Sequence, residues 1–163
     1  MTRSTDQRLC DLYAAHALGV RRMAYLVTGD PHEAEDLLQE SFVRLGGRLL
    51  TLSDPERAAG YLYRTVINLS HDHGRRLRRD RDMRKRLPHD TPAPAPDVGD
   101  RDRLWSALLN LPVRHRAVLF LRYYMDLSEA QTAEVLNCSI SAVRSLNHRA
   151  SQSIRNKLQG DER

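Results

Sequence analysis

The amino-acid sequence predicts an all-α fold: two small helical domains joined by a proline-rich linker. Three observations lead there. Apolar residues recur at helical spacing on both sides of residues 88–100, and no convincing two-residue alternation occurs. Leu and Ala dominate the apolar set and favour helices, whereas two Phe and one Trp limit aromatic filling of a single large core. Between the two halves, Pro88, Pro92, Pro94 and Pro96 remove backbone donors and disfavour helix before each proline, which makes an extended, fairly stiff connection.

The first helix is expected from Leu9 to Thr28, with Leu9, Tyr13, Val20, Met23 and Val27 inward, and Gly29 stops it. Asp30-Pro31 restarts the chain: Asp30 is the N-cap, Pro31 the first helical residue, and Glu33 stands three residues past the cap. That second helix should reach about Leu50, with Leu37, Leu38, Phe42 and Leu45 in the core. Ser53-Asp54-Pro55-Glu56 repeats the start signal, and Leu62, Thr65, Val66 and Leu69 form the inner stripe of a third long helix. Beyond the linker, Leu104, Ala107, Leu108 and Leu111 mark a helix over Arg103–Leu111, and Pro112 opens another to about Met125. Ser128 with Gln131 makes a capping box for a helix ending near Asn137. The last runs from about Ile140 to Leu158, with Ile140, Val143, Ala150, Ile154 and Leu158 mostly on one side.

A chain of 163 residues that is 40% hydrophobic and 29% charged is folded rather than globally disordered. The net charge of +5 suits a polyanionic partner, or equally a basic solvated surface, so the placement of charge must decide. Cys10 and Cys138 have no neighbouring Cys or His at metal spacing; both are expected as small buried apolar groups in a reducing cytoplasm. No metal or other cofactor is expected. Neither a signal peptide nor an apolar run of membrane-spanning length is visible, so the chain is read as cytoplasmic with no membrane segment of its own. His16, His71 and His73 are the best acid–base candidates, but no nucleophile or carboxylate site accompanies them, so catalysis is not expected.

The most specific pattern spans Glu129 to Arg149. A helix-turn-helix needs a small residue where its helices cross (Ala133), a residue tolerating positive φ four positions on (Asn137), and an apolar anchor six further (Val143). All three are present. The outer face of the second helix then carries Ser141, Arg144, Ser145, His148 and Arg149. Arg pairs bidentately with guanine edges, and Ser, His and backbone amides hold phosphates. An ordinary solvated face is the alternative, and most of the weight rests on the arginines.

Two further charge patterns lie in the first half. Arg75, Arg76, Arg78, Arg79, Arg81, Arg84, Lys85 and Arg86 outweigh Asp80 and Asp82, a balance that follows a phosphate backbone or else marks a basic linker. Asp36, Gln39, Glu40 and Val43 fall at i, i+3, i+4 and i+7 on one helix face, which is either solvated or docks a basic protein. A stand-alone helix-turn-helix regulator is the rival function, but it gives such an acidic face no task.

Three stretches together resemble the extracytoplasmic-function sigma factors of the sigma-70 family, most nearly the SigE-type actinobacterial group. LYAAHALGVRRMAYLVTGDPHEAEDLLQESFVRL, from Leu12 to Leu45, is similar to region 2. YLYRTVINLSHDHGRR, from Tyr61 to Arg76, resembles the helix that reads the −10 element, and the stretch from Leu111 to Ala150 resembles region 4, which reads the −35 element. The sequence departs from the family pattern at Ser141-Ala142, where a glycine-threonine pair is usual, and at Leu146-Asn147 after Ser145.

The resemblance implies a division into region 2 (residues 1–87), a linker (88–100) and region 4 (101–163). It implies that Asp36, Gln39, Glu40 and Val43 dock on core RNA polymerase, at the clamp coiled coil of the largest subunit, with the flap a further contact. It assigns Tyr61, Arg64 and Asn68 to an unpaired, flipped base of the −10 strand, supported by Arg75 and Arg76, although Tyr61 and Asn68 also suit core-edge roles. It assigns Ser141, Arg144, Ser145, His148 and Arg149 to the −35 duplex. Promoter DNA and an anti-sigma factor are the other implied partners.

Overall fold

The computed structural model describes residues 4–84 and 99–160, and among these every regular element is helical. In order they are α1 (Thr5–Thr28), α2 (Pro31–Gly46), α3 (Pro55–Arg84), α4 (Asp100–Leu109), α5 (Val113–Leu119), a π-helical segment (Phe120–Tyr124), α6 (Glu129–Leu136) and α7 (Ile140–Gly160). The expected all-α class holds. Most of the linker, with Lys85, Arg86 and its four prolines, lies outside the described residues, as do the side chains of Arg75 and Arg76.

Local chemistry fixes most boundaries. Ser4 caps α1 by accepting from the Gln7 amide at 3.2 Å, so the helix begins a turn earlier than Leu9. Gly29 ends it with φ 74°, which L side chains adopt only under strain. The Asp30 carboxylate then accepts from the amides of His32 and Glu33, and Pro31 occupies the first turn of α2. Helix α2 stops at Gly46 rather than Leu50. The Gly46-Gly47 pair favours helix poorly, and the chain tightens into short turns in which Arg48 donates to Leu45 O at 2.8 Å. Arg8 binds the carbonyls this turn leaves open, at Leu49 (3.1 Å), Leu52 (3.0 Å) and Ser53 (3.2 Å).

The first three helices surround Leu12, Val20, Met23, Val27, Leu38, Phe42, Leu45, Leu62 and Val66. Tyr13, expected inside, is 44% exposed but lays its ring against Phe42 with centroids 4.9 Å apart. Thr65 is buried as expected and Leu69 is half-buried, but Tyr63 and Ile67 contribute as much to the interior of α3. Tyr63 passes directly over Gly19, where any Cβ would collide with the phenol oxygen, so the absence of a side chain sets the α1–α3 approach. Cys10 is exposed and Cys138 half-buried; the expected burial of Cys10 fails because it lies on the solvent side of α1.

In the second half α4 covers Asp100–Leu109, ending before Leu111 because Pro112 disfavours helix in the residues ahead of it. Leu104 points outward (41% exposed), and Trp105 instead packs inward, on the face shared with Leu108 three residues on. Pro112 is the N-cap of α5 rather than its first helical residue. The single helix expected to Met125 widens after Leu119 into the π segment, closed by a Met125 amide donating to Phe120 O at 3.0 Å. Ser128 and Gln131 form both bonds of the capping box, and Asn137 ends α6 at φ 50°, ψ 54°. Val143 and Ala150 bury α7, whereas Ile140 at its start is 42% exposed.

The two helical groups also pack on each other, and one continuous set of buried residues runs from Val20 through Ile67 and Phe120 to Val143. Tyr25 stacks on Trp105 with centroids 4.8 Å apart, Arg116 Nη1 donates to Leu26 O at 3.1 Å, and the Tyr63 hydroxyl meets Met125 Sδ at 3.4 Å. Burial, with a lesser contribution from Tyr124, pushes the Tyr63 hydroxyl up to about 12.

Candidate nucleic-acid interface

The helix-turn-helix is built as its spacing requires. Ala133 is buried at the crossing of α6 and α7, and the backbone amides of Asn137 and Cys138 return to Glu134 O (3.3 Å) and Ala133 O (3.0 Å). Asn137 takes the left-handed conformation that makes this turn tight, and Val143 is 1% exposed against the core. With that stripe inward, Ser141, Arg144, Ser145, His148 and Arg149 are all exposed. Arg144 does not hang free: its Nε donates to Glu129 Oε2 at 2.6 Å, bridging the two helices of the unit. The two departures from the family pattern also have places. Leu146 packs against the core, and the Asn147 amide donates to the Tyr123 hydroxyl at 3.3 Å.

On the second helix of the chain, Asp36, Gln39, Glu40 and Val43 are exposed together while Leu38, Phe42 and Leu45 are buried behind them. Glu40 forms an i,i+4 pair with Arg44 at 2.7 Å, leaving Asp36 and Gln39 as the open polar edge of that face. Val43 is 71% exposed, an apolar group with no covering side chain.

The residues expected to hold a flipped base are distributed differently. Tyr61 is half-buried, while Arg64 and Asn68 lie on the outer side of α3. Tyr61 and Arg64 line one wall of an open cleft of about 740 Å³ between the helical groups; Gln131, Glu134 and Asn137 line the other. Across the edge of that cleft the Arg64 guanidinium donates to the carbonyls of Val135, at 3.1 Å, and Glu134. Asn68 is not among the lining residues. Helix α3 continues its backbone through Arg75 and Arg76.

Sequence reasoning missed two arginines that tie distant elements together, Arg114 within the second half and Arg116 between the halves. Arg114 donates to Leu136 O at 3.0 Å, and Arg116, half-buried, has its pKa lowered by burial. Two histidines are also perturbed. His16, lining the cleft, is lowered by burial; His115 is lowered by burial and then by Arg149, and its Nδ1 is buried without a partner. Among the described residues no three His, Cys, Asp or Glu side chains gather where a metal ion would sit, and no helix is long and apolar enough to cross a membrane.

Comparison with known proteins assigns each half. Residues 12–80 match the profile of Sigma-70 region 2, and residues 101–154 that of Sigma-70 region 4. The RNA polymerase sigma-E factor of Streptomyces coelicolor is 33% identical over 138 residues, covering 84% of this chain and 78% of that protein. The ECF RNA polymerase sigma factor SigE of Mycolicibacterium smegmatis is 34% identical over 156 residues, covering 91% of this chain but 60% of that longer relative. In fold, the chain is similar to the sigma factor RpoE from Bartonella quintana, solved in complex with the anti-sigma factor NepR, with a TM-score of 0.71, 19% identity and coverage of 94% of this chain and 96% of that one. With both regions matched in order and sigma-E relatives aligned over most of its length, the chain belongs to the extracytoplasmic-function group of the sigma-70 family.

Proposed function

We propose that this sigma factor directs core RNA polymerase to its promoters through three surfaces with separate tasks. Residues 1–87 act as region 2, residues 88–100 as the linker and residues 101–163 as region 4. Asp36, Gln39, Glu40 and Val43 dock on the clamp coiled coil of the polymerase's largest subunit, and region 4 contacts the flap. Tyr61, Arg64 and Asn68 take the unpaired −10 strand: a ring for stacking, polar edges and a cation, with Arg75 and Arg76 following phosphates. Ser141, Arg144, Ser145, His148 and Arg149 hold the −35 duplex in its major groove.

The observation that carries this reading is the separation of exposed charge. Asp36, Gln39 and Glu40 stand on one region, Arg144, His148 and Arg149 on the other, and both faces are backed by buried apolar stripes. An acidic face repels DNA but suits a basic protein surface, whereas exposed arginines on a helix-turn-helix suit a duplex. The chain supplies binding energy and strand selection and leaves nucleotide addition to the polymerase, so it is not itself an enzyme and needs no cofactor. It works in the cytoplasm. An anti-sigma factor is the expected inhibitor, as the Bartonella relative was solved with one.

Two weak DNA contacts joined on one polymerase gain from effective concentration, so the free chain should bind promoter fragments poorly and with steep salt dependence. A gel shift on genomic fragments with and without core polymerase tests this. Specific retardation only in the presence of core is expected. Tight operator binding by the chain alone would instead establish the stand-alone regulator.

A further inference from the structure

We infer that Arg64 is a latch that holds the two regions closed in the free protein, and that it must let go before the −10 strand can be taken. The inference rests on the sigma-factor reading and adds a conformational step to it.

The geometry begins at the C-terminus of α6. The last carbonyls of a helix have no intrahelical donor, and the negative end of the helix dipole lies there. Arg64, from α3, fills that position: Nε–H donates to Val135 O at 3.1 Å and Nη2 to Glu134 O. Arg114 of α5 takes the neighbouring carbonyl of Leu136 at 3.0 Å, so region 4's own arginine and region 2's arginine share one helix end. Beside them Gly60 faces Val135, and a Cβ at position 60 would stand in ordinary contact, 3.9 Å from Cγ2. Helix α6 is the first helix of the helix-turn-helix. Arg64 thus ties the strand-reading helix directly to the duplex-reading unit.

The rest of the seam mixes apolar and polar contacts. Beside the continuous buried core it carries the Tyr25–Trp105 stack, the Arg116 bond to Leu26, the Tyr63–Met125 contact and Arg22 over the Tyr124 ring at 5.4 Å. On the Tyr61 side the regions stand apart, across the open cleft. Glu134 lines that cleft opposite Arg64, so a nucleic-acid strand entering the closed form would meet a carboxylate and find the guanidinium already engaged. A guanidinium is suited to the exchange, because the donors it withdraws from carbonyls can be re-satisfied by phosphate or base edges. Closed and open forms then each offer acceptors to the Arg64 guanidinium, so exchange between them replaces one set of bonds by another.

A reversible cross-link across the seam provides the test. With Cys10→Ser and Cys138→Ser removing the native thiols, Gly60→Cys and Val135→Cys place two sulfurs where a Cβ at position 60 would stand 3.9 Å from Val135 Cγ2. Run-off transcription with core polymerase on genomic fragments should fall at least tenfold for the oxidised chain and return on adding reductant. An oxidised chain that transcribes within twofold of its reduced form overturns the latch. If the reduced chain itself yields no promoter-dependent transcript, the sigma-factor reading fails instead, and the latch is decided by Trp105, the single tryptophan of the chain. In Arg64→Ala with unchanged helical circular dichroism, release of the stack should shift Trp105 emission to longer wavelength and raise its quenching by acrylamide about twofold. Emission and quenching identical to the native chain overturn the latch.

Discussion

Arg144 Nε lies 2.6 Å from Glu129 Oε2, so the arginine proposed to read a base edge is tied to the first turn of the neighbouring helix. Arg144 is largely exposed and Glu129 about one third exposed, and such a pair near the surface contributes no more than about 1 kcal/mol. Breaking it for a guanine edge is therefore cheap. Arg144→Ala should lose about 1–3 kcal/mol of −35 duplex binding, roughly 5- to 150-fold. Glu129→Gln should raise affinity by up to about 5-fold. Competition binding of the holoenzyme on promoter fragments checks both; an unchanged affinity in Arg144→Ala would remove this residue from the −35 contact.

Reversing charge on the acidic face should separate polymerase binding from folding. Asp36→Lys with Glu40→Lys places cations on an exposed surface remote from the core residues Leu38 and Leu45, so thermal stability should change little. Like-charge contact with a basic partner should weaken association with core at least about 10-fold, equivalent to about 1.4 kcal/mol. Co-elution of the variant with core at native affinity would show that the face is merely solvated.

The turn of the helix-turn-helix makes a sharp demand at Asn137, whose φ is 50°. Asn137→Ala should cost about 1–2 kcal/mol, since Cβ meets the following carbonyl in this conformation, and Asn137→Gly should cost less. At this chain length the alanine variant should melt roughly 2–8 °C lower, as measured by calorimetry. Equal melting of the alanine and glycine variants would contradict the conformational argument.

Stability should fall as the solution is acidified through the histidine range. Burial lowers the pKa of His16, and burial followed by Arg149 lowers that of His115, while the unfolded chain keeps values near 6.5. Below 6.5 the unfolded state therefore binds more protons than the folded state, and stability drops until the lowered folded values are passed. Above 6.5 both residues are neutral in both states and add no slope. Urea titrations at a series of pH values should show this slope reduced in the variant His16→Gln with His115→Gln; an unaltered slope would assign it to other groups.

Much of this structure could be read locally. Gly29, Asp30-Pro31, Ser128 with Gln131, and Asn137 each act through groups within a few residues of themselves, and each does in the structure what its residue type dictates. The exposed faces of α2 and α7 follow equally directly from helical period. The parts that were not legible depend on distant partners. Arg64 bonds to residues some 70 positions away, Trp105 is turned inward by Tyr25 while Leu104 is left outside, and the widened turn at Phe120 has no local signature. Early termination of α2 was foreshadowed by Gly46-Gly47, but the arginine that satisfies the resulting carbonyls comes from α1.

Run-off transcription with purified core polymerase is the most direct measurement. Addition of the native chain should produce transcripts starting at discrete promoter sites, and the Asp36→Lys, Glu40→Lys chain should abolish them while retaining native helical content. Absence of any discrete start with the native chain, or undiminished transcripts from the charge-reversed one, would contradict the assignment of polymerase to the acidic face and DNA to the basic ones.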